Sequence, residues 1–224
     1  GVMALATLEE ALGHCFADRG LLQTALTHRS FGAGHNERLE FLGDSILNCV
    51  IAVTLYRRFP GLPEGDLSRL RANLVRQDTL QRIAQNIALG PQLRLGEGEL
   101  RSGGEGRPSI LADALEAMLG AVFLDAGFSA AELVVERLFA ELLDGLNPGE
   151  ACKDAKTRLQ EWLQGRRQPL PKYATLGTTG AAHSQRFEVA CELERLGVRT
   201  LGTGSSRRLA EQAAAELALR HLEP

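Results

Sequence analysis

One stretch of this chain places acidic side chains inside an apolar helix pattern. Between residues 39 and 55 most positions are apolar, a composition typical of a buried helix. This stretch and the turn before it carry Glu37, Glu40 and Asp44. At about 100° of rotation per residue, these spacings put the three carboxylates within an arc of roughly 60°. One face of a buried helix is therefore predicted to be acidic.

A second apolar stretch, residues 109–120, carries Asp113 and Glu116 three residues apart. We expect its acidic face to meet that of the first helix, because a buried carboxylate is costly unless a cation or strong donors compensate it. Clusters of carboxylate oxygens suit hard divalent cations such as Mg²⁺ or Mn²⁺, and no Cys or His lies among these acids to favour zinc. The pattern predicts a carboxylate-bound Mg²⁺ site.

Other interpretations stay open for single residues near this cluster. Glu37 stands beside Asn36 in the predicted first turn of the helix, where an acid also interacts favourably with the helix dipole or pairs with an arginine. Glu64 lies in a turn and is either a further acid of the site or a solvated turn residue. His28, in the turn before the acidic helix, is interpreted as a structural histidine rather than a catalytic base.

Composition describes an ordinary soluble protein, with 44% hydrophobic and 5% aromatic residues among 224. There is no uncharged apolar run of about 18 residues, as a membrane helix requires, and no signal-peptide pattern. We therefore expect a cytoplasmic protein without a membrane partner. The four cysteines lie far apart, which indicates reduced thiols rather than a zinc or redox motif.

Charge and pattern divide the chain into two predicted domains. Residues 1–150 hold 13 Arg and no Lys against 20 acids, whereas residues 151–224 hold 12 Lys and Arg against 8 acids. The basic second part suits a polyanion. We predict an all-α domain at residues 4–146, a linker at 147–153 and a small α+β domain at 154–224.

Local signals mark several elements within these domains. Thr7 and Glu10 form a capping-box pattern that predicts a helix start, and the Gly-rich residues 96–108 predict a mobile loop. In the second domain, polar and apolar residues alternate as in half-buried strands. The predicted order is α-β-β-β-α, with helices at 154–164 and 206–222 and strands at 173–179, 186–193 and 198–203.

The start of the last helix is a candidate anion site. The sequence from 202 to 208 is Gly-Thr-Gly-Ser-Ser-Arg-Arg. Free N–H groups at a helix N-terminus attract phosphates, and arginines add bidentate donors. Solvated surface arginines are the alternative.

These motifs together resemble bacterial ribonuclease III, over almost the full length of the chain. Residues 36–45 (Asn-Glu-Arg-Leu-Glu-Phe-Leu-Gly-Asp-Ser) resemble the hallmark segment of that family, and residues 111–117 (Leu-Ala-Asp-Ala-Leu-Glu-Ala) resemble its second acidic motif. The C-terminal part resembles a double-stranded-RNA-binding domain at residues 156–161, 180–183 and 202–212.

The resemblance implies a homodimeric, Mg²⁺-dependent endonuclease, with Mn²⁺ able to substitute and no organic cofactor. Such an enzyme cuts both strands of double-stranded RNA, leaves 5′-phosphate and 3′-hydroxyl ends with short 3′ overhangs, and processes rRNA and other structured transcripts. The dimer would form around the hallmark helix, with Phe41 entering the partner subunit. The resemblance also implies catalytic roles for Asp44 and Glu116, metal binding by Glu40, Asp113 and Glu116, secondary acidic roles for Glu37 and Glu64, and RNA contacts by Gln160, Glu161, His183, Ser206, Arg207, Arg208 and Gln212.

One position departs from the pattern of such RNA-binding domains. Many carry a third basic residue where this chain has Glu211, which predicts a weaker phosphate grip per domain. Two other functions are also considered: a non-cleaving double-stranded-RNA-binding protein, which has no reason to keep the acids, and a hydrolase of small phosphate esters, which needs no basic platform.

Overall fold

The computed structural model describes residues 2–147, 154–181 and 183–223. The chain divides into two units, and the break between them follows Asn147. The predicted linker at 147–153 lies outside the described residues except for Asn147. Each unit is described by itself below.

The N-terminal unit is helical, which confirms the predicted fold class. Apolar residues recur at helical spacing in each main segment, and polar or glycine-rich turns separate them. Its elements are α1 (Val2–Leu12), α2 (Arg19–Ala25), α3 (Glu37–Arg58), α4 (Glu64–Leu74), α5 (Gln77–Asn86), α6 (Glu97–Arg101), α7 (Pro108–Ala126) and α8 (Phe128–Asp144), with 3₁₀ turns at Gly90–Gln92 and Gly104–Gly106.

The central helix of this unit is α7, and α3, which the sequence predicted to be buried, is only partly buried. Helices α2, α3, α5 and α8 all pack against α7, and its residues from Leu115 to Val122 are buried except for Glu116. Helix α3 buries one face against α7 and exposes the other, where Phe41 is 79% and Tyr56 73% accessible. Although α3 carries apolar residues on all sides, only one of its faces is buried within a single chain.

Length and composition alone would also allow α3 to cross a membrane. One such helix is weak evidence, because core helices of other proteins pass the same test. Three carboxylates in its N-terminal half and its packing against α7 favour a helix of a folded domain.

Asp125, near the end of α7, fixes the connection between α1 and α2. Its carboxylate accepts the N–H groups of Ala17 (3.0 Å) and Asp18 (2.8 Å), and it lies 2.8 Å from Nε2 of His14. The hydrogen bond from Asp18 is the first cause of a lowered Asp125 pKa. The ionised carboxylate therefore holds two distant parts of the chain together.

The Gly-rich segment before α7 forms two short helical elements, so its prediction as a loop is wrong, while its mobility stays a prediction. Residues 97–101 form α6, and residues 104–106 form a 3₁₀ turn. Glu99 pairs with Arg107 at 2.6 Å, and a side chain at Gly104 would collide with Glu99. At Gly104 the absence of a side chain therefore allows close packing against Glu99.

The C-terminal unit has the predicted α-β-β-β-α order. The sheet is antiparallel in the order β1-β2-β3. Helix α9 packs against α10, and α10 packs on β2 and β3. The elements are α9 (Ala155–Gly165), β1 (Lys172–Thr179), β2 (Arg186–Leu193), β3 (Val198–Gly204) and α10 (Arg207–Leu222), around a core of Ala155, Leu159, Leu163, Cys191, Leu193, Val198, Ala214, Ala215, Ala218 and Leu219.

Candidate functional site

Two glycines bring α3 and α7 into backbone contact beside the acids. A Cβ atom on Gly43 would lie 1.6 Å from the carbonyl oxygen of Glu116, and one on Gly120 would lie 2.4 Å from the carbonyl oxygen of Leu39. No side chain fits at either position. Because Gly43 precedes Asp44 and Gly120 lies one turn after Glu116, the acidic faces of the two helices are held together.

The acids line one open cleft of about 740 Å³. Its walls come from α3, from the first half of α7 and from the segments before these helices. The lining includes His28, Arg29, Ser30, Asn36, Glu37, Glu40, Phe41, Asp44, Glu99, Arg107, Ser109, Ile110, Asp113 and Glu116. The structure thus brings together Glu37 and all four acids predicted for the metal and catalytic roles.

Burial, and after it the neighbouring carboxylates, raises the pKa of three of these acids. Burial, followed by a hydrogen bond and charge from Asp44, raises the pKa of Glu116 to about 8. Burial and then the charge of Asp113 raise the pKa of Glu40, and burial also raises that of Asp113. At neutral pH such a cluster retains a proton unless a cation neutralises it. The site is short of positive charge.

Arginine pairing does not explain the four central acids. Within the described residues, no Lys or Arg nitrogen forms an ion pair with Glu40, Asp44, Asp113 or Glu116, whereas Arg29 approaches Glu37 at 3.4 Å. The arginine alternative therefore holds for Glu37 alone.

Glu64 is not brought to this cleft. It lies exposed at the start of α4, where it accepts a 2.6 Å hydrogen bond from the Ser68 hydroxyl. Its secondary acidic role stays a prediction.

The donor set fits a divalent cation in its chemistry. It consists of carboxylate oxygens, which are the ligands that Mg²⁺ and Mn²⁺ prefer, and they line a cleft that is open to solvent. In the described part of the chain no three His, Cys, Asp or Glu side chains converge as a finished metal site. Instead Glu40 hydrogen-bonds Asp113, and Glu116 hydrogen-bonds Asp44.

Sequence reasoning missed the non-acidic wall of the cleft. His28, Arg29 and Ser30 come from the turn before α3, and Arg107 precedes α7. Their proximity to the acidic motifs in the sequence was the available signal. It is weak, because chain neighbours of a site residue face either side of a helix.

In the C-terminal unit, the candidate anion site lies at the N-terminus of α10, as predicted. The Ser206 hydroxyl accepts the N–H of Leu209 at 3.1 Å and caps the helix. Arg207 and Arg208 are exposed. The side chain of Gln212 faces α9 and accepts the N–H of Lys156 at 3.1 Å, so its amide oxygen stabilises the domain.

Glu211, the reversed charge, is neutralised within the domain. Its carboxylate is only 12% exposed and pairs with Lys156 of α9 at 2.6 Å and with Arg207 at 3.1 Å. Burial alone would raise its pKa, but the hydrogen bonds from these two cations lower it. The acid therefore joins α9 to α10 and does not face solvent as an isolated negative charge.

The remaining predicted RNA contacts lie on exposed parts of the same unit. Gln160 and Glu161 are exposed on α9, and His183 is exposed between β1 and β2. Their RNA contacts stay predictions.

Comparison with known families matches both units. A family model described as ribonuclease-III-like matches residues 18–142, and a double-stranded RNA binding motif matches residues 155–222. The core of the C-terminal unit falls within its matched region, and most of the N-terminal core falls within the other, apart from Leu8, Leu12, Phe16 and Leu143.

Full-length relatives and solved domains agree with these matches. Ribonuclease 3 of Dechloromonas aromatica is 66% identical over 220 residues, covering 98% of this chain and 99% of that protein. Ribonuclease 3 of Thiobacillus denitrificans is 62% identical over 218 residues, covering 97% and 96%. The nuclease domain of ribonuclease III from Campylobacter jejuni is 43% identical, covers 63% of this chain and 97% of that one, and has a TM-score of 0.61. A second structure of that domain (45% identical, 60% and 95% covered, TM-score 0.59) is described as flexible in a region involved in dimer formation.

Proposed function

This chain belongs to the ribonuclease III family, and from that premise we propose that it is a Mg²⁺-dependent endoribonuclease that cuts both strands of double-stranded RNA. The products would be 5′-phosphate and 3′-hydroxyl ends with short 3′ overhangs. The observation that carries the proposal is the meeting of four carboxylates without arginine partners in one open cleft.

Glu40, Asp113 and Glu116 would hold the cation, with Mn²⁺ able to substitute. When bound, a divalent ion lowers the pKa of water and neutralises charge on a phosphodiester. The carboxylates themselves exclude phosphate when no cation is present, because like charges repel in a partly desolvated cleft.

Asp44 and Glu116 would handle the proton of the attacking water. Burial, followed by the hydrogen bond and charge of Asp44, raises the pKa of Glu116 to about 8 in the metal-free protein. A group with such a pKa can accept a proton and return it. This is why we assign the catalytic roles to this pair.

The C-terminal unit supplies the duplex platform. Duplex RNA is recognised mostly by shape, through 2′-hydroxyls and phosphates across successive minor grooves. The exposed Arg207 and Arg208 follow a capped helix start, where backbone N–H groups favour anions. We assign RNA contacts to these two, to Ser206 and Gln212, and to Gln160, Glu161 and His183.

We further propose a homodimer formed through the exposed face of α3. Phe41 and Tyr56 are largely accessible on this face, and exposed apolar patches mark interaction sites. The dimer-forming region described for the Campylobacter jejuni domain supports this view. Light scattering at micromolar concentration tests it, and a monomeric mass would contradict it.

Processing of rRNA and other structured transcripts in the cytoplasm is the proposed biological role. Among the described residues, Cys15, Cys49 and Cys191 are free thiols, as is usual in a reducing compartment.

Cleavage assays separate this function from a non-cleaving RNA-binding protein. We expect Mg²⁺ to support cutting of duplex but not single-stranded RNA, EDTA to stop it, and Glu116→Gln to abolish cutting while RNA binding persists. Binding without Mg²⁺-dependent cutting by the wild-type protein would refute the nuclease assignment.

A further inference from the structure

His28 occupies the cleft with one ring nitrogen fixed. Its Nδ1 accepts the backbone N–H of Ser30 at 3.1 Å and lies 2.7 Å from the Ser30 hydroxyl. That hydroxyl accepts the backbone N–H of Gly96 at 2.9 Å, so its own proton is directed to Nδ1. A nitrogen that accepts a backbone N–H carries no proton of its own. The neutral ring is therefore protonated at Nε2.

The packing around Ser30 keeps this arrangement in place. A Cβ atom on Gly96 would lie 2.3 Å from the carbonyl oxygen of Ser30, so the segment before α6 contacts Ser30 directly. The backbone of His28 is held as well, because its N–H donates to the carbonyl of Arg94 at 3.0 Å. Two separate segments thus fix the orientation of the imidazole.

Nε2 of His28 has no hydrogen-bond partner among the described residues. The two arginines of the cleft, by contrast, have carboxylate partners: Arg29 pairs with Glu37 and Arg107 with Glu99. The half-buried His28 thus keeps one unused donor on a cleft rich in carboxylates.

His28 lies near the metal-site end of the cleft. It partly opposes the burial that raises the pKa of Asp113, which places the ring within electrostatic reach of that acid. A phosphodiester positioned at the acids brings negative non-bridging oxygens, and a fixed N–H donor stabilises charge that develops on such oxygens.

We propose that His28 donates its Nε2–H to a non-bridging oxygen of the scissile phosphate, and that Ser30 and Gly96 select the tautomer that makes this possible. The histidine holds its proton throughout and acts as a hydrogen-bond donor. This inference rests on the proposed nuclease function and adds a contact with the reacting group.

Nitrogen NMR of the full chain tests the tautomer and the contact. We expect the His28 ring of the free protein to be protonated at Nε2, and Ser30→Ala to shift it towards a mixture of tautomers. In the Glu116→Gln variant with Mg²⁺ present, duplex RNA should shift the His28 Nε2 resonance. An Nδ1-protonated ring, or bound RNA without that shift, would overturn the proposal.

Matched substitutions test the consequence for cleavage. In His28→Gln the amide nitrogen reaches the Nε2 position, whereas in His28→Asn the side chain reaches only the Nδ1 position and can still accept the Ser30 N–H. We expect His28→Asn to lower kcat on the order of 10²-fold with KM for duplex RNA little changed, and His28→Gln to recover most of the loss. Equal losses in both variants, or no loss in His28→Asn, would show that His28 makes no contact with the phosphate.

The NMR titration and the cleavage assay together distinguish failure of the proposed nuclease function from failure of the proposed His28 contact. If the wild-type protein does not cut duplex RNA but the His28 resonance shifts on RNA binding, the nuclease function fails and only a contact of His28 with bound RNA remains. If the protein cuts RNA and the resonance does not shift, the contact fails alone.

Discussion

Replacing Gly43 by alanine should disrupt the site without removing any acid. The added Cβ would lie 1.6 Å from the carbonyl oxygen of Glu116, so α3 and α7 must separate by about 1.5 Å or more to restore ordinary contact. Overpacking costs about 1–3 kcal/mol, while alanine gains up to about 1 kcal/mol of helix propensity. We expect a net loss of about 2 kcal/mol, or about 6 °C in the melting temperature of this unit.

Cleavage should fall more than stability does. The separation opens between Asp44 and Glu116, and a misplacement of about 1 Å can cost about 10²-fold in rate. We therefore expect Gly43→Ala to lose about 10²-fold or more in kcat while still binding duplex RNA.

Circular dichroism and fluorescence report the two units separately. Most helical residues belong to the N-terminal unit, whereas the single tryptophan, Trp162, lies in α9. Gly43→Ala should lower the melting temperature by dichroism and leave the Trp162 transition unchanged. Gly65→Ala is the control, because Gly65 is also helical but has open space around it. A Gly43→Ala protein as stable and active as wild type would refute the close-packing argument.

Three further predictions follow from charges. Because the folded pKa of Glu116 is about 8 rather than its ordinary 4.5, the native state keeps a proton that the unfolded state loses; in EDTA, stability should fall as pH rises from about 5 to about 8. Glu116→Gln should flatten this dependence of stability on pH, and Mg²⁺ should reduce the loss of stability at high pH. Thermal melts of the variant with an unchanged slope would contradict the assignment of the slope to Glu116. Glu211→Gln releases Lys156 and Arg207, so duplex-RNA binding should tighten at low salt, and the slope of log affinity against log salt concentration should steepen by about 1. Filter binding over a salt series measures this slope, and a slope equal to that of the wild type would contradict the prediction. Asp125→Ala should lower the melting temperature at neutral pH. Because the pKa of Asp125 is lowered, the difference in melting temperature between variant and wild type should shrink as pH falls below about 4. A difference that persists in acid would show that the ionised carboxylate is not its cause.

Local pattern was sufficient for much of the fold. Strand β2 has the predicted bounds of 186 and 193, because alternation of polar and apolar residues is a property of the strand itself. The start of α1 was mispredicted: the helix begins at Val2, and the Thr7 hydroxyl bonds the carbonyl of Met3 inside it. A threonine hydroxyl serves either purpose, so the capping pattern alone did not decide.

Four of the acids were predictable as a group, because three- and four-residue spacing puts carboxylates on one face of a helix whatever the helix contacts. Their residue types also predicted an oxygen-ligand cation site. The close approach that brings them together was not predictable, since Gly43 and Gly120 are far apart in sequence and a glycine within a helix has many uses.

Only the tertiary structure decided which neighbours joined the acids and what each group faces. Ser30 meets Gly96 across more than 60 residues, and Glu211 meets Lys156 from another helix. Periodicity along a chain determines which residues share a face of one element. Which atoms meet across two elements depends on how closely their backbones pack, and that depends on the whole core.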